Sequence, residues 1–294
     1  MKVRKLGVSR RSVVIASAAI ATVISLGLGA NAALNKISND ARQAVFNVGY
    51  GGSEKDVTGS VTSSSRVALV IGNGRYPDAS APLTQPINDA RALTAALRDD
   101  GFEVDVVEDG TKEDMRRAID RLKAKVSRDT VVMLFYSGYG IQAGRESYMI
   151  PVDAAIWKEG DVRRQGTSVE ALLDALKDKG ARASLVVLDA SRRNPFERRF
   201  RTYSRGLGAI DTPRNALILS SATPGKVIDD AKAENSALVA ELLKNMNAHG
   251  VGAEQIFTRT RIAVSRSSEG QQVPTVSSSL IDAVSFRAGA RTGG

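Results

Sequence analysis

The stretch VVMLFYSGYGIQ, residues 131–142, decides the fold class. It is a continuous apolar run that ends in a small turn, in which two glycines flank Tyr139. A second stretch, SLVVLDASRRNPF at residues 184–196, has the same form and places Ser191 just past its end. Uninterrupted apolar runs of this length are typical of strands that are covered on both faces. The two stretches therefore predict buried strands that run out into loops carrying a tyrosine and a serine.

Strand and helix patterns alternate on both sides of these two stretches. Glycines follow several predicted helices, and Thr-x-x-Asp at Thr111 and Thr-x-x-Glu at Thr167 predict capping boxes. The predicted strands are 66–72, 102–108, 130–136, 183–189 and 215–221, a hairpin is predicted near 141–153, and the predicted helices are 86–101, 111–126, 167–180, 234–247 and 252–265. This alternation predicts an α/β fold with a mainly parallel sheet and helices on both faces. Functional loops then lie beyond the carboxyl ends of the strands, where Tyr139 and Ser191 are found.

The N-terminal residues 1–32 have the organisation of an export signal. A basic segment ending in Arg10 and Arg11 precedes an apolar run of 19 residues, Ser12 to Ala30, and Ala-Asn-Ala follows at 30–32. The alternative is a retained membrane anchor, since the apolar run is about long enough to span a bilayer. Both alternatives predict a periplasmic protein, or one that is anchored to the outer face of the inner membrane.

The remaining chain divides by composition into three parts. Residues 33–65 are rich in glycine and serine and predict a flexible linker. Residues 66–286 hold the periodic apolar pattern of a folded domain, and residues 287–294 predict a disordered tail.

Composition and charge exclude several kinds of chemistry. The chain has no cysteine and a single histidine, His249, so thiol nucleophiles and Cys-type zinc sites are impossible. The formal net charge is +9, and residues 1–32 contribute five basic residues and no acidic ones, which leaves +4. The segment from Ser191 to Arg205 holds six arginines, counting Arg205, without a pattern of stacking aromatics. We therefore expect no nucleic-acid surface.

Seven motifs in a fixed order carry a family resemblance. They are RVALVIGN…Y, NDA, GF.V, FYSGYG, PVDA, LDASR.NPF and QVP…SSSL, between about Arg66 and Phe286. In this order they resemble the caspase-type peptidases of bacteria, the metacaspase-like or orthocaspase group of the C14 peptidases. The resemblance implies a caspase-like fold with about six strands and, we expect, a monomer.

The resemblance also implies which positions carry the catalysis in active relatives. The family's histidine position in GHG is Tyr139 here, and the family's cysteine position in DAC is Ser191. A serine hydroxyl needs a well-placed base, and a phenol that titrates near pH 10 is a poor one at neutral pH. These replacements predict a pseudo-peptidase that has lost its dyad. If Tyr139 and Ser191 are neighbours, we expect a hydrogen bond between them, directly or through water.

The resemblance further implies an acidic pocket for an Arg or Lys side chain. The matching positions are Asp89, Ser137 and Asp189. Carboxylates suit a guanidinium through charge-assisted hydrogen bonds. The alternative is structural: Asp89 lies in a helix's first turn, where an acid is favoured, and Asp189 accepts hydrogen bonds from loop amides.

No cofactor is expected from the sequence. Asp153 matches a position near which some relatives bind calcium, but no full acidic cluster accompanies it, so no metal site is assigned.

Two functions of different classes remain open. One is an exported regulatory module that binds basic peptide segments or an unidentified protein partner. The other is an active endopeptidase with Arg/Lys specificity that uses Ser191 as nucleophile and Tyr139 as proton acceptor. The arginines after Ser191, above all Arg198, Arg199 and Arg201, are further candidates, because they could occupy the pocket of Asp89 and Asp189 from within.

Overall fold

A computed structural model describes residues 65–77, 82–196, 206–228, 233–248 and 250–287. All of them belong to the unit that begins at Thr62. The predicted export signal, almost all of the linker, His249, the arginines at 198–205 and the tail from 288 lie outside the described residues. Within these ranges, no helix has the length and apolar character needed to cross a membrane.

A mostly parallel sheet of six strands forms the centre of the domain. The described strands are β1 (Arg66–Gly72), β2 (Glu103–Glu108), β3 (Val131–Ser137), β4 (Gly140–Ala143), β5 (Glu146–Met149), β6 (Thr167–Ser168), β7 (Ala183–Asp189), β8 (Ala216–Ser220) and β9 (Thr275–Ser278). The large sheet has the order β2-β1-β3-β7-β8-β9, and only β9 in it runs antiparallel to its neighbour. Strands β4, β5 and β6 form a small antiparallel sheet.

Helices cover both faces of the large sheet. The described helices are α1 (Pro86–Asp99), α2 (Lys112–Lys125), α3 (Glu159–Gln165), α4 (Val169–Asp178), α5 (Ala237–Met246) and α6 (Ala253–Ser267). Apolar residues of α1, α5 and α6 pack in one buried cluster, and those of α2 and α4 pack in another. Alternate residues of β1 belong to opposite clusters, because successive side chains of a strand point to opposite faces. The predicted α/β fold with helices on both faces is confirmed.

The beginning of α4 differs from the sequence-based prediction. The capping box at Thr111 is present, since its hydroxyl accepts from Asp114 N and the Asp114 carboxylate accepts from Thr111 N. The box predicted at Thr167 is wrong, because Ser168 caps the helix by accepting from Ala171 N at 3.1 Å. The Glu170 carboxylate instead accepts from Ser147 N at 2.9 Å and so ties α4 to β5.

The strand register brings the candidate site residues to one level. Gly72 of β1 is paired with Ser137 of β3, and Ser137 is paired with Asp189 of β7. These are the last residues of three adjacent parallel strands. The loops that follow therefore meet at one edge, as the carboxyl ends of parallel strands do.

Candidate functional site

The two turns predicted to carry the site are hydrogen-bonded to each other. Gly138 N donates to Asp189 O at 3.3 Å, and Gly140 N donates to Ala190 O at 3.1 Å. These bonds bracket Tyr139 on one turn and end directly before Ser191 on the other. The structure therefore brings Tyr139 and Ser191 into adjacent turns at the ends of β3 and β7.

Close packing explains the glycines that flank Tyr139. A Cβ atom on Gly138 would lie 2.6 Å from the Tyr76 hydroxyl and 2.7 Å from the Tyr136 hydroxyl. On Gly140 it would lie 2.8 Å from the Ala190 carbonyl oxygen and 2.6 Å from Leu207. These distances are shorter than side chains tolerate, so the turn needs glycine for close approach on both sides of the tyrosine.

Tyr139 is held in a group of three tyrosines, which we call the tyrosine cluster: Tyr76, Tyr136 and Tyr139. The Tyr139 ring packs edge-on against Tyr76, with centroids 4.7 Å apart and planes at 62°. The Tyr76 hydroxyl accepts from Tyr139 N at 3.0 Å, and the Tyr136 hydroxyl donates to Tyr139 O at 2.7 Å. Burial raises the pKa of Tyr76 to about 12 and the pKa of Tyr136 well above its ordinary value. The cluster's two supporting phenols therefore stay protonated and act as hydrogen-bonding groups.

Ser191 is enclosed by the segment that follows the undescribed residues 197–205. Ser191 is only 1% exposed, and Gly206 packs against its Cβ. Its backbone N–H lies 3.4 Å from the Ser221 hydroxyl, and its carbonyl accepts from Ile228 N at 2.8 Å. Within the described ranges, the expected direct bond between the Ser191 and Tyr139 hydroxyls is not present. The described hydrogen-bond partners of Ser191 include no base.

The pocket residues predicted from the resemblance are all fully buried. Asp89, Ser137 and Asp189 are each 0% exposed. Asp89 lies in the first turn of α1, and its Oδ1 accepts from Asn235 Nδ2 at 3.0 Å and from Ser236 N at 2.9 Å. Among the described residues, Asp89 Oδ2, the Ser137 hydroxyl and both Asp189 carboxylate oxygens have no hydrogen-bond partner. The structural alternative is therefore wrong for Asp189, to which no loop amide bonds, whereas Asp89 does lie in a helix's first turn as that alternative expects.

Asp189 lies close enough to Asp89 to influence the pKa of Asp89. Burial, and then repulsion from Asp189, raise the pKa of Asp89 from 3.8 to about 7. The hydrogen bonds from Asn235 and Ser236 oppose this rise without cancelling it. A buried pair of acids with unused acceptor atoms favours a nearby cation.

Arg192 belongs to the arginines after Ser191 that the sequence offered for the pocket, but it was not among the three singled out there. It is 2% exposed, and its Nη1 donates to the carbonyls of Gly138, at 3.2 Å, and of Asp189. Its Nη2 lies 3.7 Å from Asp189 Oδ2. The three that were singled out, Arg198, Arg199 and Arg201, lie outside the described residues. The available signal was the spacing, since Arg192 follows Ser191 directly and stands three residues after Asp189.

No group of three or more His, Cys, Asp and Glu side chains in the described ranges could hold a metal ion. Asp153, the residue considered for calcium, is exposed, and its Oδ1 accepts from Lys112 N at 2.8 Å. This bond anchors the loop after β5 to the beginning of α2.

Comparison with known proteins identifies the family of this fold. The sequence model of the caspase domain family matches residues 65–285, which include the whole described sheet and both turns. This chain belongs to the caspase domain family. It is also 29% identical over 153 residues to the human mucosa-associated lymphoid tissue lymphoma translocation protein 1, and 30% identical over 145 residues to the mouse homologue. The aligned regions span 51% and 49% of this chain but only 18% and 17% of those proteins.

Membership of the caspase family relates the chain to peptidases and gives the two adjacent turns their chemical meaning. The turn after β3 and the turn after β7 are where the resemblance puts a base and a nucleophile. Here they hold a phenol packed among tyrosines and a hydroxyl. Beside them lie two buried carboxylates and a buried guanidinium. The described part of the site therefore combines two hydroxyl-bearing side chains with buried charged groups of both signs.

Proposed function

We propose that this caspase-family domain is a catalytically inactive homologue that binds basic segments of peptides or of a protein partner outside the cytoplasm. The observation that carries the proposal is a contrast at the carboxyl ends of the strands. The positions that the resemblance assigns to the family's histidine and cysteine hold Tyr139 and Ser191, whereas the positions that it assigns to the acidic pocket hold Asp89 and Asp189, which are fully buried.

Inactivity is supported by what surrounds the two replaced positions. A serine becomes a useful nucleophile when an adjacent base takes its proton. The described hydrogen bonds of Ser191 lead to Ser221 and Ile228, and Tyr139 packs against the Tyr76 ring. A phenol at this position is a hydrogen-bonding group far more than a base at neutral pH.

Basic ligands are supported by the unused acceptors of the pocket. Asp89 Oδ2 and both oxygens of Asp189 are buried without hydrogen-bond partners in the described structure. A buried acceptor without a partner costs stability, and a guanidinium or ammonium group would supply charge-assisted hydrogen bonds. We therefore propose Arg or Lys side chains as the recognised groups.

The decisive experiment separates a binding module from an unusual serine peptidase. The purified protein is incubated with fluorogenic peptides ending in Arg or Lys and with a serine-reactive phosphonate, and Ser191→Ala is the control. We expect neither turnover nor labelling. Turnover or labelling that disappears in Ser191→Ala would establish the Ser191/Tyr139 endopeptidase instead.

Reconstruction of the dyad tests whether the pocket can still present a substrate. Ser191→Cys alone should stay silent, because Tyr139 cannot form the ion pair that activates a thiol. Ser191→Cys combined with Tyr139→His should gain cleavage after Arg or Lys if the acidic pocket accepts a substrate side chain. Silence of the double variant, with the fold intact by circular dichroism, would argue against the pocket.

Export and chain integrity are tested on the protein as it is produced. Mass spectrometry of protein from a bacterial periplasmic or membrane fraction should show one chain without a break between residues 33 and 294 and, if the signal is removed, a new N-terminus after residue 32. A break after Arg198, Arg199 or Arg201 that disappears in Ser191→Ala would contradict the proposed inactivity. Recovery of the protein in the cytoplasmic fraction would contradict export.

A further inference from the structure

The described arginine that follows Ser191 directly is part of the acidic site itself. Arg192 reaches back under the turn of Tyr139, where its Nη1 donates to the Gly138 carbonyl and to the Asp189 carbonyl. A single guanidinium thus connects the end of β7 with the turn after β3. Its 2% exposure is unusual for an arginine, which is rarely buried without a charged partner.

Among the described residues, the Asp189 carboxylate is a charged partner of Arg192. Arg192 Nη2 lies 3.7 Å from Asp189 Oδ2, which is an ion-pair distance but too long for a hydrogen bond. Both Asp189 oxygens lack hydrogen bonds within the described ranges. Arg192 therefore neutralises the charge of the Asp189 carboxylate without hydrogen-bonding to it. Both carboxylate oxygens can still accept a hydrogen bond from a donor that comes closer.

We propose that Arg192 is the built-in occupant of the acidic pocket, and that a basic ligand binds Asp189 by exchanging with it. The exchange rests on the proposed function, because it assumes that the pocket receives a basic side chain. The second part of the proposal does not depend on any ligand. The guanidinium of Arg192 is the counter-ion that offsets the cost of burying the Asp189 charge.

Exchange predicts that Arg192 lowers the affinity of the pocket for other guanidinium groups. If the state with Arg192 withdrawn is populated to about 10% or less, the apparent affinity falls by about tenfold or more. Removing the side chain should remove this penalty. The neighbouring Arg193 is exposed, so Arg193→Ala removes the same charge without touching the pocket and is the matched control.

The first measurement is chemical rescue, and it needs no peptide. Arg192→Ala should melt at a lower temperature than Arg193→Ala, and millimolar ethylguanidinium chloride should raise its melting temperature. The same concentration of ethylammonium chloride should do less, because it lacks the planar fork of donors. Neither salt should shift the melting temperature of Arg193→Ala or of the unchanged protein.

The second measurement is the binding of a fluorescent, amidated peptide that contains one arginine, followed by anisotropy. We expect Arg192→Ala to bind about tenfold more tightly than the unchanged protein, and Arg193→Ala to bind like it. If Arg192→Ala does not fold, Arg192→Gln replaces it in both measurements, since its amide can still donate to the Gly138 carbonyl.

The two measurements separate this inference from the proposed function. Rescue by ethylguanidinium without peptide binding by any variant would refute the proposed function and leave Arg192 as the internal counter-ion, without exchange. Absence of rescue, together with equal peptide affinity of Arg192→Ala and Arg193→Ala, would overturn the inference. Tight peptide binding by every variant would keep the proposed function and refute the exchange.

Discussion

Replacing Asp89 with asparagine tests the electrostatics of the buried acid pair. The amide oxygen of the new side chain can still accept from Asn235 Nδ2 and Ser236 N, as Asp89 Oδ1 does. Its amide nitrogen places a donor where Asp89 Oδ2 has no described partner. The substitution therefore removes the charge and leaves the geometry of the α5 cap in place.

The expected effect depends on pH, and its sign follows from the raised pKa. Because burial and the charge of Asp189 raise the pKa of Asp89 to about 7, the folded state holds this proton more tightly than the unfolded state. The stability that the protonated form contributes is present at acidic pH and is lost as the pH rises towards 7. The amide of the Asp89→Asn variant cannot titrate, so the variant should not lose this stability.

The magnitude follows from the interval of pH. At 1.36 kcal/mol per pKa unit, the rise from pH 5 to the pKa of about 7 amounts to about 2–3 kcal/mol. We therefore expect the free energy of unfolding of Asp89→Asn, relative to that of the unchanged protein, to rise by about 2–3 kcal/mol from pH 5 to pH 8.5. Above pH 7.5, the variant should be the more stable of the two.

Urea denaturation followed by circular dichroism at pH 5 and at pH 8.5 measures this difference. Asp129→Asn is the matched control, because Asp129 is exposed and its loss also removes one carboxylate. The free energy of unfolding of Asp129→Asn should follow that of the unchanged protein at pH 5 and at pH 8.5. If the free energies of unfolding of Asp89→Asn and of the unchanged protein change with pH in parallel, the raised pKa of Asp89 is refuted.

Three further substitutions test the packing and hydrogen bonding of the site. Gly140→Ala should destabilise the domain by about 1–3 kcal/mol in urea denaturation, because the new Cβ would lie 2.8 Å from the Ala190 carbonyl oxygen. An unchanged midpoint would contradict the close approach of the turns after β3 and β7. Tyr76→Phe should cost about 1–3 kcal/mol, because the buried Tyr139 N–H loses its acceptor and the Ile150 carbonyl loses one of its donors. Tyr148→Phe, which loses a more accessible bond to Glu146, should cost less; equal losses would contradict the tyrosine cluster. Tyr139→Phe keeps the ring packing against Tyr76 and removes only the hydroxyl, so it should cost no more than about 0.5–1.5 kcal/mol in calorimetry; a larger loss would contradict ring packing as the main contact.

The order of the elements was predictable because each carries a local signal. Buried strands such as Val131–Ser137 are continuous apolar runs, and the helices have one apolar face. Strand β9 was not predicted as a strand, because Thr275–Ser278 is short and polar. Helix α3 and strand β6 were missed because their few residues show no period.

The position of the candidate site was also predictable, but its contacts were not. The ends of parallel strands meet at one edge, so placing Tyr139, Ser191 and Asp189 after predicted strands was enough to group them. The packing of Tyr139 against Tyr76 joins positions 63 residues apart, and the bond of Asp89 to Ser236 joins positions 147 apart. Such pairs depend on how the chain closes on itself, for which a single sequence carries no local signal. The sequence around Tyr76 therefore indicates only a turn.

The acid pair is costly for the fold, and this cost is the best reason to look for a ligand. Only one oxygen of Asp89 is used in the described structure, to accept from Asn235 and from the N–H of Ser236 at the beginning of α5, and an asparagine would serve that purpose without charge. Asp189 needs the buried guanidinium of Arg192 beside it. If Asp89→Asn folds more stably above pH 7 but no longer binds a guanidinium group, the carboxylate serves recognition at the expense of stability. If the variant is more stable and binds equally well, the second acid has no role in recognition, and Asp189 with Arg192 is the whole of the site.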